Sequence, residues 1–207
     1  MTTKFSAVIV LLSLLLLVVE MVKRKFAVRT DISRKLAHVG ASLIAFATPF
    51  FLSKWEIVSI CIIFSAVLFY TRQTNFFSSI HSVERKTFGE VFLPIGIALC
   101  AFFFLPEEVT AFQFGVLILG ISDALAAFVG ERFGKHSILL FGSKKSVEGS
   151  FAFFVSCLII SSFYVPNIDH QIFAVVFALT LIEFFLVFGL DNVVLPSIGA
   201  YLIRFFL

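Results

Sequence analysis

Charge is what this sequence has least of. Asp, Glu, Lys and Arg make up only 14% of its 207 residues, against roughly a quarter in an ordinary soluble domain. With 60% hydrophobic residues and a mean hydropathy of +1.07, that shortage excludes a soluble globular domain and implies an integral membrane protein. Cysteine is also scarce. Cys61, Cys100 and Cys157 each lie inside an apolar run without ligand spacing, which excludes a disulfide framework or a cysteine metal site and leaves small buried hydrophobes. There is no Pro/Gly/Ser-rich linker, no low-complexity tract and no repeat of roughly 20–50 residues. One bundle over 1–207 is expected, and no nucleic-acid polymer is expected as a partner. A cleavable leader is not expected either: only Lys4 precedes the apolar run 5–19, and no small-x-small site precedes the basic cluster after it.

What is present is apolar runs. A spanning helix takes about 20 mostly apolar residues, and the chain offers them near 5–22, 36–53, 55–71, 91–105, 109–130, 150–165 and 171–190, with a shorter run at 193–207. The expected fold is therefore all-α, a polytopic transmembrane bundle of seven spans, or eight if the tail crosses. Most of the 16 Lys and Arg fall in alternate breaks: Lys23 to Lys35, Arg72 to Lys86, and Arg132 to Lys145. Basic residues near span ends stay on the cytoplasmic side, so the N-terminus is expected outside and these loops inside. Such loops suit an anionic partner, a lipid head group or a phosphorylated ligand.

Polar residues near the hydrocarbon are costly and mark candidate sites. In "DISRKLAHVGAS" (31–42), Arg34 and His38 share a helix face, with Lys35 beside them and Ser33 or Asp31 as candidate caps. A basic interface anchor explains Arg34 and Lys35 but not His38. In "ERKTFGEVFLP" (84–94), Thr87 and Glu90 fit a capping box, and Glu90 is also a candidate cation ligand. In "GISDALAAFVGERFGKHS" (120–137), Asp123 interrupts an apolar run, so a lysine partner, a metal or proton transfer is expected for it. Gly130 and Gly134 fit close helix packing or close approach to phosphate. The spacing is not that of a P-loop.

In "GSKKSVEGS" (142–150), Lys144, Lys145, Ser146, Gly149 and Ser150 combine charge, hydroxyls and backbone access at the mouth of a helix, the ingredients of an anion seat, with Glu148 among them. In "EFFLVFGLDNVVLP" (183–196), Glu183 lies in an apolar run, and Asp191 and Asn192 follow a helix break, a plausible oxygen set for Mg²⁺. Basic groups for phosphate and carboxylates for metal are the equipment of phosphoryl chemistry.

Taken in order, "SRKLAHVG", "ERKTFGE", "SDALAAFVGERFGK", "KKSVEGSFA" and "EFF…GLDNVVLP" resemble the CTP-dependent lipid-alcohol kinases: dolichol kinase, phytol kinase and the fungal-type diacylglycerol kinase. The resemblance covers about residues 30–200 and leaves 1–29 as a peripheral first span and basic loop. It departs at Ser122-Asp123, where relatives often have Gly-Asp. It implies transfer of the CTP γ-phosphate to a membrane lipid hydroxyl with Mg²⁺ or another divalent cation. On that footing Asp123, Lys145, Glu148 and Asp191 are the candidate catalytic residues. The nucleotide would fall to Arg34, Lys35, His38, Gly130, Gly134, Lys144, Lys145, Ser146, Gly149 and Ser150. The metal would fall to Asp123, Asp191, Asn192 and Glu90, with Glu183 and His38 among the candidate bases. Two other readings stay open: a cytidylyltransferase making a CDP-lipid, and a non-catalytic transporter or scaffold. The lipid alcohol and the oligomeric state are left undetermined.

Overall fold

The computed structural model describes residues 3–74 and 88–207. The helices are α1 (Thr3–Phe26), α2 (Thr30–Ala47), α3 (Lys54–Thr74), α4 (Gly89–Phe104), α5 (Val109–Leu117), α6 (Asp123–Phe133), α7 (Val147–Ser162), α8 (His170–Phe185) and α9 (Asp191–Ile203). A π-helical turn, Ile118–Ser122, joins α5 to α6 as one continuous rod. The one departure from all-α among the described residues is a short hairpin of β1 (Ser137–Leu140) and β2 (Ser143–Ser146). Lys144 and Lys145, which the sequence places in a basic loop, stand on β2. The register pairs Leu140 with Ser143, so Phe141 and Gly142 alone make the turn.

The helices coincide with the apolar runs because a backbone in an apolar medium satisfies its polar groups only within itself. Among the described residues, three helical rods are long and apolar enough to cross a membrane: Thr3–Phe26, Lys54–Thr74 and Val109–Phe133. Shorter apolar helices, Gly89–Phe104, Val147–Ser162 and His170–Phe185, complete the bundle.

The α5 rod is the centre. Phe112, Phe114, Val116, Ile118 and Leu119 are fully buried and meet Phe153 of α7 and Leu195 of α9 in one core. Two glycines set how close the neighbours come. A Cβ on Gly96 of α4 would stand 1.9 Å from the Asn192 carbonyl oxygen of α9, and one on Gly115 of α5 would stand 2.1 Å from the Pro196 carbonyl oxygen. These backbone contacts lock α9 into the bundle and fix Asp191 and Asn192 at its first turn.

The cap expected from Ser33 or Asp31 does not form. The helix begins earlier, at Thr30, and the Ser33 hydroxyl donates to the Thr30 carbonyl at 3.0 Å. The Thr87 half of the expected capping box lies outside the described residues. Phe88 occupies the N-cap of α4 and makes no side-chain cap bond.

Candidate active site

Two ion pairs organise one end of the bundle. Lys35, one turn into α2, points its ammonium at Asp123, the first residue of α6, with Nζ 2.5 Å from Oδ2. His38, one turn further along the same face, lies 3.9 Å from the same oxygen. Its Nε2 also lies 3.2 Å from the Leu119 carbonyl in the π-helical turn. A carbonyl only accepts, so this bond assigns the proton to Nε2 and leaves Nδ1 as an acceptor in the neutral ring. Such π-turns recur at functional sites because they redirect the residues that follow. Here the residue that follows is Asp123.

The second pair crosses from the hairpin to α8. Lys145 Nζ is 2.5 Å from Glu183 Oε1 and donates to the Glu183 backbone carbonyl at 2.8 Å. Asp191 Oδ2 is 3.7 Å from the same ammonium. Ser150 Oγ reaches Glu183 Oε2 at 3.4 Å. Lys35, Asp123, Lys145, Glu183 and Asp191 all line one cavity, to which Arg34, Lys144 and Ser146 also contribute.

The helix end expected to seat an anion is already satisfied by protein groups. Ser146 caps α7, its hydroxyl accepting from the Gly149 N–H at 3.1 Å, and the Val147 N–H donates to the His136 carbonyl at 3.0 Å. An anion here would meet lysine side chains rather than free backbone N–H groups. Gly149 serves packing: a Cβ would stand 2.7 Å from the Ala126 carbonyl oxygen of α6. Gly130 and Gly134 serve the same crossing, pressed against Ser146.

Three further candidates are engaged by protein groups, and of these Glu90 and Asn192 still line the cavity. Glu148 is not among the cavity's lining residues. Its carboxylate buckles the hairpin base, accepting from the His136 N–H at 3.1 Å and lying 2.8 Å from His136 Nδ1. Its own N–H, then His136, hold it well below the usual carboxylate range, at about 2. Glu90 lines the cavity but pairs with Arg72 of α3. Asn192 donates its amide to the Gly89 carbonyl at 2.8 Å, stitching α9 to the start of α4.

Sequence reasoning gave no role to two features. Phe141 and Phe188, each followed by glycine, line the cavity; the FG pairs were a visible signal. The cavity also continues past the charged end into an apolar arm. It holds about 640 Å³, and α1 to α4 line the arm with Leu12, Leu15, Ala41, Ile44, Ile60, Cys61, Phe64 and Leu93. Along α2 the arm runs from Lys35 to Thr48, roughly 20 Å at 1.5 Å per residue. α1 is thus a wall of the cavity.

Mg²⁺ fits this donor set. It favours one or two carboxylates together with substrate phosphates over an all-protein cage. Asp123 and Asp191 both line the polar end, and no group of three or more His, Cys, Asp and Glu stands ready among the described residues.

Fold and cavity define a largely helical, apolar protein with a lysine–carboxylate site that opens into an apolar arm. Over 202 residues the chain is 27% identical to phytol kinase of Synechocystis sp., covering 93% of this chain and 86% of that one. It is 31% identical over 190 residues to an uncharacterized protein of Methanocaldococcus jannaschii, 84% of this chain and 93% of that one. A stretch of 46 residues, 22% of this chain and 9% of that one, is 48% identical to dolichol kinase of Schizosaccharomyces pombe. No protein-family model and no solved structure matches. These likenesses support a place among the lipid-alcohol kinases, along most of the chain for phytol kinase and over a short stretch for dolichol kinase.

Proposed function

We propose that this protein transfers the γ-phosphate of CTP to the hydroxyl of a membrane lipid alcohol at the cytoplasmic face, from a bundle of seven or eight spans with its N-terminus outside. The observation that carries this reading is one continuous cavity, charged at one end and apolar along the other. A lipid alcohol has that shape. Its hydroxyl belongs beside Lys35 and Asp123, and its chain belongs in the arm. Lys144, Lys145 and Arg34 face the triphosphate. The names of the phytol and dolichol kinases support an isoprenoid alcohol as acceptor.

In the transfer, the lipid oxygen forms a bond to the γ-phosphorus while the bond to the β–γ bridging oxygen breaks. CDP leaves, and the hydroxyl proton passes to a carboxylate of the network. Mg²⁺, when bound by Asp123 and Asp191, supplies neutralising charge for the phosphates. The chain's own contribution is alignment and charge: Lys35 and Lys145 hold the two aspartates in place and offset the charge on the transferring group. Little more is required, because phosphoryl transfer depends mostly on positioning and electrostatics.

The test uses purified protein, CTP labelled at the γ-phosphate, and farnesol, geranylgeraniol, phytol, a polyprenol or diacylglycerol as acceptor, with ATP in parallel. Label is expected on the lipid. Label found only in pyrophosphate, with a CDP-lipid as product, would sink the kinase reading.

A further inference from the structure

Among the described residues, three other than glycine hold a positive φ: Ala27, Phe141 and Phe188. The two phenylalanines share a context. Phe141 (φ 48°) precedes Gly142 (φ 84°) at the hairpin turn, and Phe188 (φ 62°) precedes Gly189 (φ 88°) in the break between α8 and α9. Both line the one cavity from different elements. The left-handed region brings Cβ against the backbone, so a bulky residue there is disfavoured and glycine, asparagine or aspartate is the usual choice. Burial does not offset the strain: Phe141 is 78% exposed and Phe188 44%. Two strained, exposed aromatics at one cavity call for an occupant that packing does not supply.

Their place identifies it. Phe141 is three residues from Lys144 in sequence, and Phe188 is three from Asp191, so both flank the charged end and not the apolar arm. A nucleoside triphosphate seated by its phosphates there must project its base toward the mouth. A base presents two flat faces, which aromatic rings bind by stacking.

We propose that Phe141 and Phe188 are the jaws of an aromatic clamp for the base of the nucleotide donor. The clamp rests on the nucleotide reading above. Phenylalanine offers no hydrogen bond, so the clamp grips a base without reading which one it is.

The test is equilibrium binding of CTP, and of tripolyphosphate as a base-free competitor, to the purified full chain. Phe141→Leu and Phe188→Leu keep apolar bulk but remove the stacking face. Each is expected to weaken CTP about tenfold and to leave tripolyphosphate within about twofold. Phe141→Gly is expected to raise the melting temperature by relieving strain, yet to weaken CTP. A purely structural side chain would lose both together. Phe141→Trp in a Trp55→Phe background is expected to restore binding and to show fluorescence quenching when CTP is added.

Unchanged CTP affinity in Phe141→Leu overturns the clamp and assigns the exposed ring to the bilayer instead. Equal loss of CTP and tripolyphosphate overturns it too. If the wild-type chain binds neither ligand, the nucleotide reading fails and the clamp with it, an outcome distinct from failure of the clamp alone.

Discussion

Lys145 Nζ, reaching from β2, lies 2.5 Å from Glu183 Oε1 on α8. Both groups are largely withdrawn from solvent, with side-chain exposures of 17% and 4%. Removing one partner from such a pair leaves a buried charge, whereas replacing both with apolar groups is often neutral. Lys145→Ala is therefore expected to cost about 3 kcal/mol, at the low end of the range because the lysine keeps some solvent. The Lys145→Met/Glu183→Met double variant is expected to recover stability but not phosphoryl transfer. Melting in detergent and label transfer from CTP separate the two effects. A double variant that transfers phosphate at the wild-type rate would remove the pair from the site.

In the proposed reaction Asp123 and Glu90 divide the carboxylates by role. Asp123→Asn keeps the shape and a polar contact for Lys35 but removes the charge. It is expected to lower turnover on the order of 10²-fold and to raise the Mg²⁺ concentration needed for half-maximal rate. Glu90→Gln breaks the pair with Arg72 and is expected to lower the melting temperature while leaving the Mg²⁺ dependence within about twofold, a separation of roles that follows from the logic of buried pairs. A reversed pattern would move the cation to the start of α4. Chelation is expected to abolish turnover without unfolding the protein, because among the described residues no metal-ligand cluster holds the helices together.

Much of this was legible from the chain. Lipid leaves helices as the main way to satisfy a backbone, so the apolar runs mark the helices closely. Asp123 stood out because an isolated carboxylate in an apolar run needs a partner, and Lys35 is that partner. Less legible was anything set by long-range geometry. The residue pattern around Glu148 reads equally as catalytic, and only the hairpin turns its carboxylate to His136. The α7 end reads as an anion seat until Ser146 and His136 are seen to satisfy it. The apolar arm depends on how four helices lean together, and local composition does not record that.

Gly149 links the packing of the site to its chemistry. Gly149→Ala would drive a Cβ to 2.7 Å from the Ala126 carbonyl oxygen, where α6 backbone cannot yield cheaply. Overpacking of this kind costs about 1–3 kcal/mol, and here it would also spread the helices that carry Asp123 and the hairpin lysines. Gly142→Ala is the control. Its Cβ would meet nothing within 4 Å, so only the strain of φ 84° remains. The expected outcome is a lower melting temperature for both variants, with a loss of turnover at saturating CTP beyond the fraction unfolded only in Gly149→Ala.

The apolar arm carries a native reporter. Cys61 lines it, while Cys100 and Cys157 are buried in the core away from the cavity. If the lipid chain lies along α1 to α4, it covers the Cys61 thiol. Geranylgeraniol or phytol is then expected to slow maleimide modification of Cys61 several-fold, with mass spectrometry assigning the site, and CTP alone is expected to leave the rate unchanged. Ala41→Leu adds bulk on the same wall. It is expected to raise KM for the alcohol and leave KM for CTP unaltered, because in the proposed seating the nucleotide meets the cavity's other end. An alcohol that is phosphorylated at full rate without protecting Cys61 would take the chain out of this arm and into the surrounding lipid.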